Sequence, residues 1–149
     1  MRPLIKASLL ATMLFTSAAA FAQATSPVGL WKTIDDETGK PKALVRVTEE
    51  NGALQGKIEK LFRGPNEEQN PVCNACPDSR KGQPLIGMTI VSGLKKDGNE
   101  YTGGEILDPA KGKVYKSKAT LRDGGQKLEV RGYIGAPMFG RSQVWHREG

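Results

Sequence analysis

Glycine-centred turns recur along this chain too often to leave room for long helices between them. They lie at "DETGKP" (36–41), "EENG" (49–52), "KKDGN" (95–99), "DPAKGK" (108–113) and "RDGGQ" (122–126). Asp-Gly and Asn-Gly pairs accept the positive φ of tight hairpin turns, because glycine has no Cβ to clash and an Asx side chain bonds to nearby backbone. Short runs rich in Val, Ile, Leu, Tyr and Thr separate the turns. Strands are expected near 28–34, 42–49, 53–62, 86–95, 100–107, 113–122, 126–134 and 139–147. No run after residue 23 keeps the 3.6-residue apolar period of a helix. Short connections make neighbours in sequence neighbours in space, so eight such strands form an antiparallel meander. Closing it removes its exposed edges. The expected fold class is all-β, a single up-and-down antiparallel barrel of about eight strands.

Alternation assigns faces. In "KLEVRGYIG", Leu128, Val130, Gly132 and Ile134 fall on one face. In "KVYKSKATL", Tyr115, Ser117, Ala119 and Leu121 face inward and the lysines outward. Small inward residues such as Ser117, Ala119 and Gly132 leave space for a cavity or for larger neighbours. "TGGE" (102–105) marks a bulge or a close backbone approach. The one long connection, about 63–85, holds both cysteines.

The N-terminus reads as an export signal. Arg2 and Lys6 precede the apolar run "ASLLATMLF", and Ala20 and Ala22 form an A-x-A site. Residues 1–22 are expected to be a signal peptide cut after Ala22, and residues 23–149 a single β-barrel domain, periplasmic or secreted. No later run has the length of a transmembrane helix. The formal net charge is +6, and two of the basic residues lie in the leader. The remaining lysines are scattered without interleaved aromatics, so no nucleic-acid partner is expected.

"GLWKT" (29–33) opens the domain and "QVWHR" (143–147) closes it. This pattern resembles lipocalin-like (calycin) barrels, in which a first-strand tryptophan packs beneath a basic residue from the end of the last strand. The resemblance makes Trp31 and Arg147 the barrel-closing pair. The matured chain is also similar to a family of exported bacterial proteins known as domain of unknown function 2147. The similarity is carried by "GLWKTIDDETGKPKALVRV", "GKIEKLF", "CNAC", "PLIGMTIVSGLK", "YTGGEILDPAKGKVYKSKATL" and "VRGYIGAPMFGRSQVWHR". It implies an exported small β-barrel and no particular activity.

Cys73 and Cys76 lie in "NPVCNACPDS". A zinc site needs four ligands, or three plus water, and this chain offers two cysteines and a single His146 more than sixty residues away, so no metal is expected. Pro77 stands where haem attachment requires histidine. No βαβ pattern surrounds the pair, and Pro77 disfavours a helix through Cys76. A local disulfide formed in an oxidising compartment is the expected state, with redox activity the alternative. Asp35, Asp36, Glu37 and Asp108 fall in turns, where carboxylates commonly cap backbone N–H groups. Their spacing is not that of a calcium loop. Neither they nor His146, with Ser142 or Ser117, form a supported catalytic arrangement, so no catalytic residue and no cofactor are assigned.

"GYIGAPMFGRSQVW" admits two registers. If Phe139 and Trp145 face inward, Arg141 and Gln143 do so too, and Arg141 can hold a carboxylate or phosphate. In the opposite register Met138, Ser142 and Val144 face in, and Arg141 is solvated. The first register makes Arg141, Gln143, Tyr115 and Phe139 ligand-binding candidates. The functional expectation is non-enzymatic binding of a small, partly apolar ligand in the barrel. The alternative is a module that binds a cell-envelope protein through the cysteine loop and barrel mouth; an enzyme of unknown type comes third.

Overall fold

Each run between glycine turns forms one strand of a closed barrel. The strands are β1 (Gly29–Ile34), β2 (Pro41–Glu50), β3 (Ala53–Leu61), β4 (Thr89–Asp97), β5 (Glu100–Asp108), β6 (Lys113–Arg122), β7 (Lys127–Tyr133) and β8 (Gly140–Arg147). In this computed structural model every strand pairs antiparallel with its sequence neighbours, and β8 returns to β1. The structure describes residues 25–149 and, ahead of them, Pro3. The signal peptide expected over residues 1–22, with its cut after Ala22, otherwise lies outside the described residues. Among the described residues no helix is long and apolar enough to cross a membrane.

The expected strands hold to within three residues at each end. The largest shift is at β4, where Gly87 and Met88 both bond to the single residue Ile58 of β3, a bulge-like arrangement, and regular pairing starts only at Thr89. One position of the inward face reaches the rim of the barrel's cavity rather than the core. Ile134 lies beyond the end of β7 and is 64% exposed. Its N–H closes a turn onto the Phe139 carbonyl, so the strand's alternation stops at Tyr133. The register of β5 on β6 slips between Tyr101 and Gly104, which is the irregularity expected from "TGGE". Gly104, Ser117 and Gly132 then stand side by side across β5, β6 and β7.

Inward residues fill one half of the barrel. Trp31, Val45, Leu54, Leu94, Leu128 and Trp145 are central members of a continuous buried cluster. β1 runs away from the end that holds Trp31, so the turns at 51–52, 98–99 and 123–126 gather at that end, the base. The 35–40, 62–88, 109–112 and 134–139 connections gather at the other, the mouth.

Arg147 closes the base. Its guanidinium carbon lies 4.3 Å from the centroid of the Trp31 ring. Its Nε donates to the Gly125 carbonyl at 2.7 Å, Nη1 to Val28 at 3.0 Å and Nη2 to Ser26 at 2.7 Å. The Trp31 indole N–H donates to the Pro27 carbonyl at 2.8 Å. One planar cation thus satisfies carbonyls from the segment before β1 and from the β6–β7 turn, while its face covers the tryptophan. Partial burial draws the Arg147 pKa below the usual arginine range. Gly29 is required for this contact. Its φ is +143°, and a Cβ there would sit 2.6 Å from Arg147 Nη1 and 2.6 Å from the Gly149 carbonyl oxygen.

Removing this cation should be costly. Arg147→Ala is expected to destabilise the barrel by about 3 kcal/mol, since hydrogen bonds from a charged group contribute roughly 1.5–3 kcal/mol each and do not add fully. Arg147→Lys should recover less than half, because an ammonium cannot reproduce the planar fork. Urea unfolding followed by tryptophan fluorescence measures both.

Candidate ligand-binding cavity

At the mouth the inward positions no longer meet across the barrel. They enclose a cavity of about 1350 Å³ that opens between the mouth connections. Its deeper wall is apolar, formed by Val45, Ile58, Ile90, Ile106, Val130 and Trp145. Tyr115 and Gly132 also line it. The glycine at position 132 widens this wall, since a Cβ there would touch Ile106 at 3.2 Å. Eight-stranded barrels have interiors large enough for one small ligand, and this half is unfilled by side chains.

β8 takes the first of the two registers open to it. Val130 stands opposite Gln143 and Leu128 opposite Trp145, so Gln143 and Trp145 share the inward face. Arg141 stands opposite Gly132 on the same face, one step nearer the rim. Val144 and Met138 are exposed. Ser142 faces outward and accepts a hydrogen bond from Arg131 at 3.1 Å. Arg141, Gln143, Tyr115 and Phe139 all line the cavity. Phe139 does so from the rim, where it is 67% exposed beside Ile134 and Met138. His146 stands on the outer wall near the base, across from Lys32.

The polar groups at the rim are ordered from below. The buried Trp145 indole N–H donates to Gln143 Oε1 at 3.3 Å. An indole only donates, so the Gln143 carbonyl must face it and the amide NH₂ points away. That NH₂ donates to Asp36 Oδ2 at 3.3 Å. Arg141 Nη2 pairs with the same oxygen. Asp36 belongs to the β1–β2 turn, so this contact ties that turn to β8. The β1–β8 seam has registered pairs at the base, Trp31 with Arg147 and Lys32 with His146, and this side-chain cluster spans it at the mouth.

The neighbouring turn carboxylates have local duties. Asp35 accepts the N–H groups of Glu37 at 2.8 Å and Thr38 at 3.0 Å. Those amides, Thr38 foremost, hold its carboxyl below the usual range, with a further contribution from the Lys42 charge. Asp108 likewise accepts from Ala110 and Lys111. Among the described residues no three of His, Cys, Asp or Glu cluster as a metal site would require.

Cys73 and Cys76 are joined by a disulfide, their Cα atoms 5.5 Å apart and each residue 2% exposed. They pack with Met88 and Leu107 in a second apolar cluster beside the mouth. The connection around them is a small hairpin: Cys73 donates its N–H to Gln83, Gly82 donates to Cys73, and Leu85 donates to Pro71. Pro71, Val72, Asn74 and Ala75 form part of the cavity wall. The β5–β6 turn presses on this segment at Gly112, where φ is +66° and a Cβ would lie 1.8 Å from the Ala75 carbonyl oxygen.

The sequence pattern pointed to Arg141 and Gln143 in one of two registers but not to their shared partner. Asp36 lies 105 residues from Arg141 and sits in a turn rich in acids that could each have capped backbone. No spacing rule links the two positions, so only the closed barrel brings them together.

Residues 29–147 match a family described as "Uncharacterized protein conserved in bacteria (DUF2147)". No curated protein matches the chain. A solved structure described as "Protein HP1028 from the human pathogen Helicobacter pylori belongs to the lipocalin family" superposes with a TM-score of 0.69. It is 19% identical, and the match covers 83% of this chain and 84% of that one. At that identity the likeness is one of fold: a lipocalin-like barrel.

The double variant Cys73→Ala/Cys76→Ala is expected to lose about 2 kcal/mol of stability, the chain-entropy value for so short a loop. Amide hydrogen exchange should show the loss of protection concentrated in 71–88 and in the 109–112 turn that packs on it, with β7 and β8 unchanged.

Proposed function

We propose that this chain, which belongs to the bacterial family of uncharacterized proteins DUF2147, is an exported protein that binds a small, partly apolar ligand in its barrel mouth. The observation that carries this reading is the cavity of about 1350 Å³, apolar in depth and polar at the rim. Pockets of this kind bury most of a small ligand against hydrophobic side chains and orient it by a few polar groups. In this proposal Trp145 and its apolar neighbours receive the ligand body, with Tyr115 beside them. Arg141 and Gln143 meet its polar end, and Phe139 covers it at the rim. Export is supported by the leader-like residues 1–22 and by a disulfide, which persists in oxidising compartments.

The exposed trio Ile134, Met138 and Phe139 supports a second reading, in which the mouth meets a protein of the cell envelope. Apolar side chains grouped at a rim are characteristic of contact surfaces.

An uncharged long-chain alcohol carrying bromine separates the two, because a heavy-atom quencher acts only at contact. Trp145 lines the cavity, whereas Trp31 is enclosed at the base. Emission is expected to fall saturably at one alcohol per barrel. In Trp145→Phe the remaining emission, from Trp31, should not respond. Unquenched emission in the unaltered protein would contradict the carrier reading and favour the second.

A further inference from the structure

We infer that the ligand's polar end is a carboxylate, and that Asp36 occupies its place until it arrives. This inference rests on the carrier reading and specifies the chemistry of its ligand. Two donors, Arg141 Nη2 and Gln143 Nε2, converge on a single oxygen, Asp36 Oδ2. The amide is oriented for that task by a hydrogen bond from the cavity floor, Trp145 Nε1 to Gln143 Oε1. A cationic fork beside an amide donor recognises a carboxylate, and the chain itself supplies one there. Below the pair lies the apolar wall that would take an alkyl or ring body.

The occupant is held weakly enough to leave. The Arg141 and Asp36 side chains are 70% and 38% exposed, and ion pairs that open to water contribute little. A ligand body lying over the same donors excludes water from them, which strengthens the contact the ligand makes relative to the one it replaces. The rim carries both signs, with Asp35, Glu67 and Asp108 set among its lysines, so the choice of an anion rests on Arg141 and Gln143. Lys40, Lys42 and Lys111 also line the mouth, and none of the three is ion-paired among the described residues. The nearby carboxylates of Asp35 and Asp108 are engaged by backbone N–H groups of their own turns. Displacing Asp36 would also release the β1–β2 turn from β8, loosening the seam at the mouth where a ligand enters.

The test compares dodecanoate with dodecanol, two amphiphiles with the same chain and different heads, by calorimetry at pH 7. Dodecanoate should bind at least tenfold more tightly. Asp36→Asn should raise the ratio of dodecanoate to dodecanol affinity a further three- to tenfold, because the amide competes poorly for Arg141. Arg141→Gln should bring the ratio to near one. Both positions are exposed at the rim, and far-UV circular dichroism checks that the variants keep the barrel. A ratio near one in the unaltered protein, or a ratio that Asp36→Asn leaves unchanged or lowers, overturns the carboxylate assignment while the carrier reading stands. Binding of neither amphiphile overturns the carrier reading, and the assignment with it.

Discussion

The contact between Arg147 and Trp31 joins the two ends of the strand meander. A sheet of eight strands has two free edges, and pairing of β8 on β1 covers both. That pairing is short in register, and at the base side chains add to the backbone bonds that Leu30 makes with Glu148 and Gly149. One guanidinium reaches carbonyls on either side of the seam and lies flat on an indole. With the base sealed in this way, the buried cluster above it can be small. The remaining length of the barrel need not be filled for the fold to hold.

What fills and what stays open follows from residue size. Toward the base the inward positions carry Trp31, Leu54, Leu94 and Leu128, which meet across the axis. Higher up, Gly104, Ser117 and Gly132 lie abreast; Leu94 covers Gly104 and Ser117 is fully buried, so of the three only Gly132 lines the cavity. The mouth is then bounded by its connections. The disulfide hairpin is fixed on Met88 and Leu107, so that wall is rigid where it meets β5. The opposite side, between β1 and β8, is held by exposed polar contacts at Asp36. The structure therefore has a firm side and a lightly latched side, and the latch uses groups suited to recognising an anion.

The strand order and the closed form were legible in the sequence because turn chemistry is local. Asp-Gly and Asn-Gly pairs report their conformation without reference to the rest of the chain, and residues such as Val130 and Ala119 report their face by alternation. Local rules ran out where a strand met a loop. Ile134 continued the apolar alternation of β7 in sequence, yet the backbone turns one residue earlier and leaves it exposed at the cavity's rim. They ran out again on β8, where Arg141 and Gln143 on one face and Ser142 and Val144 on the other are comparably mixed in polarity. The register there is settled by Trp145, which packs into the cluster over Leu128. Asp36 was the least legible of all. Its role depends on a contact across the seam, and that contact exists only once the first and last strands have met.

As proposed, the barrel is exported and holds one small molecule. Native mass spectrometry of the protein purified from the bacterium that makes it tests this most directly. The expected spectrum shows a polypeptide mass beginning at Gln23 with one small adduct, released intact on gentle activation. A bare polypeptide mass at every activation energy, from protein that retains its fold, would contradict it.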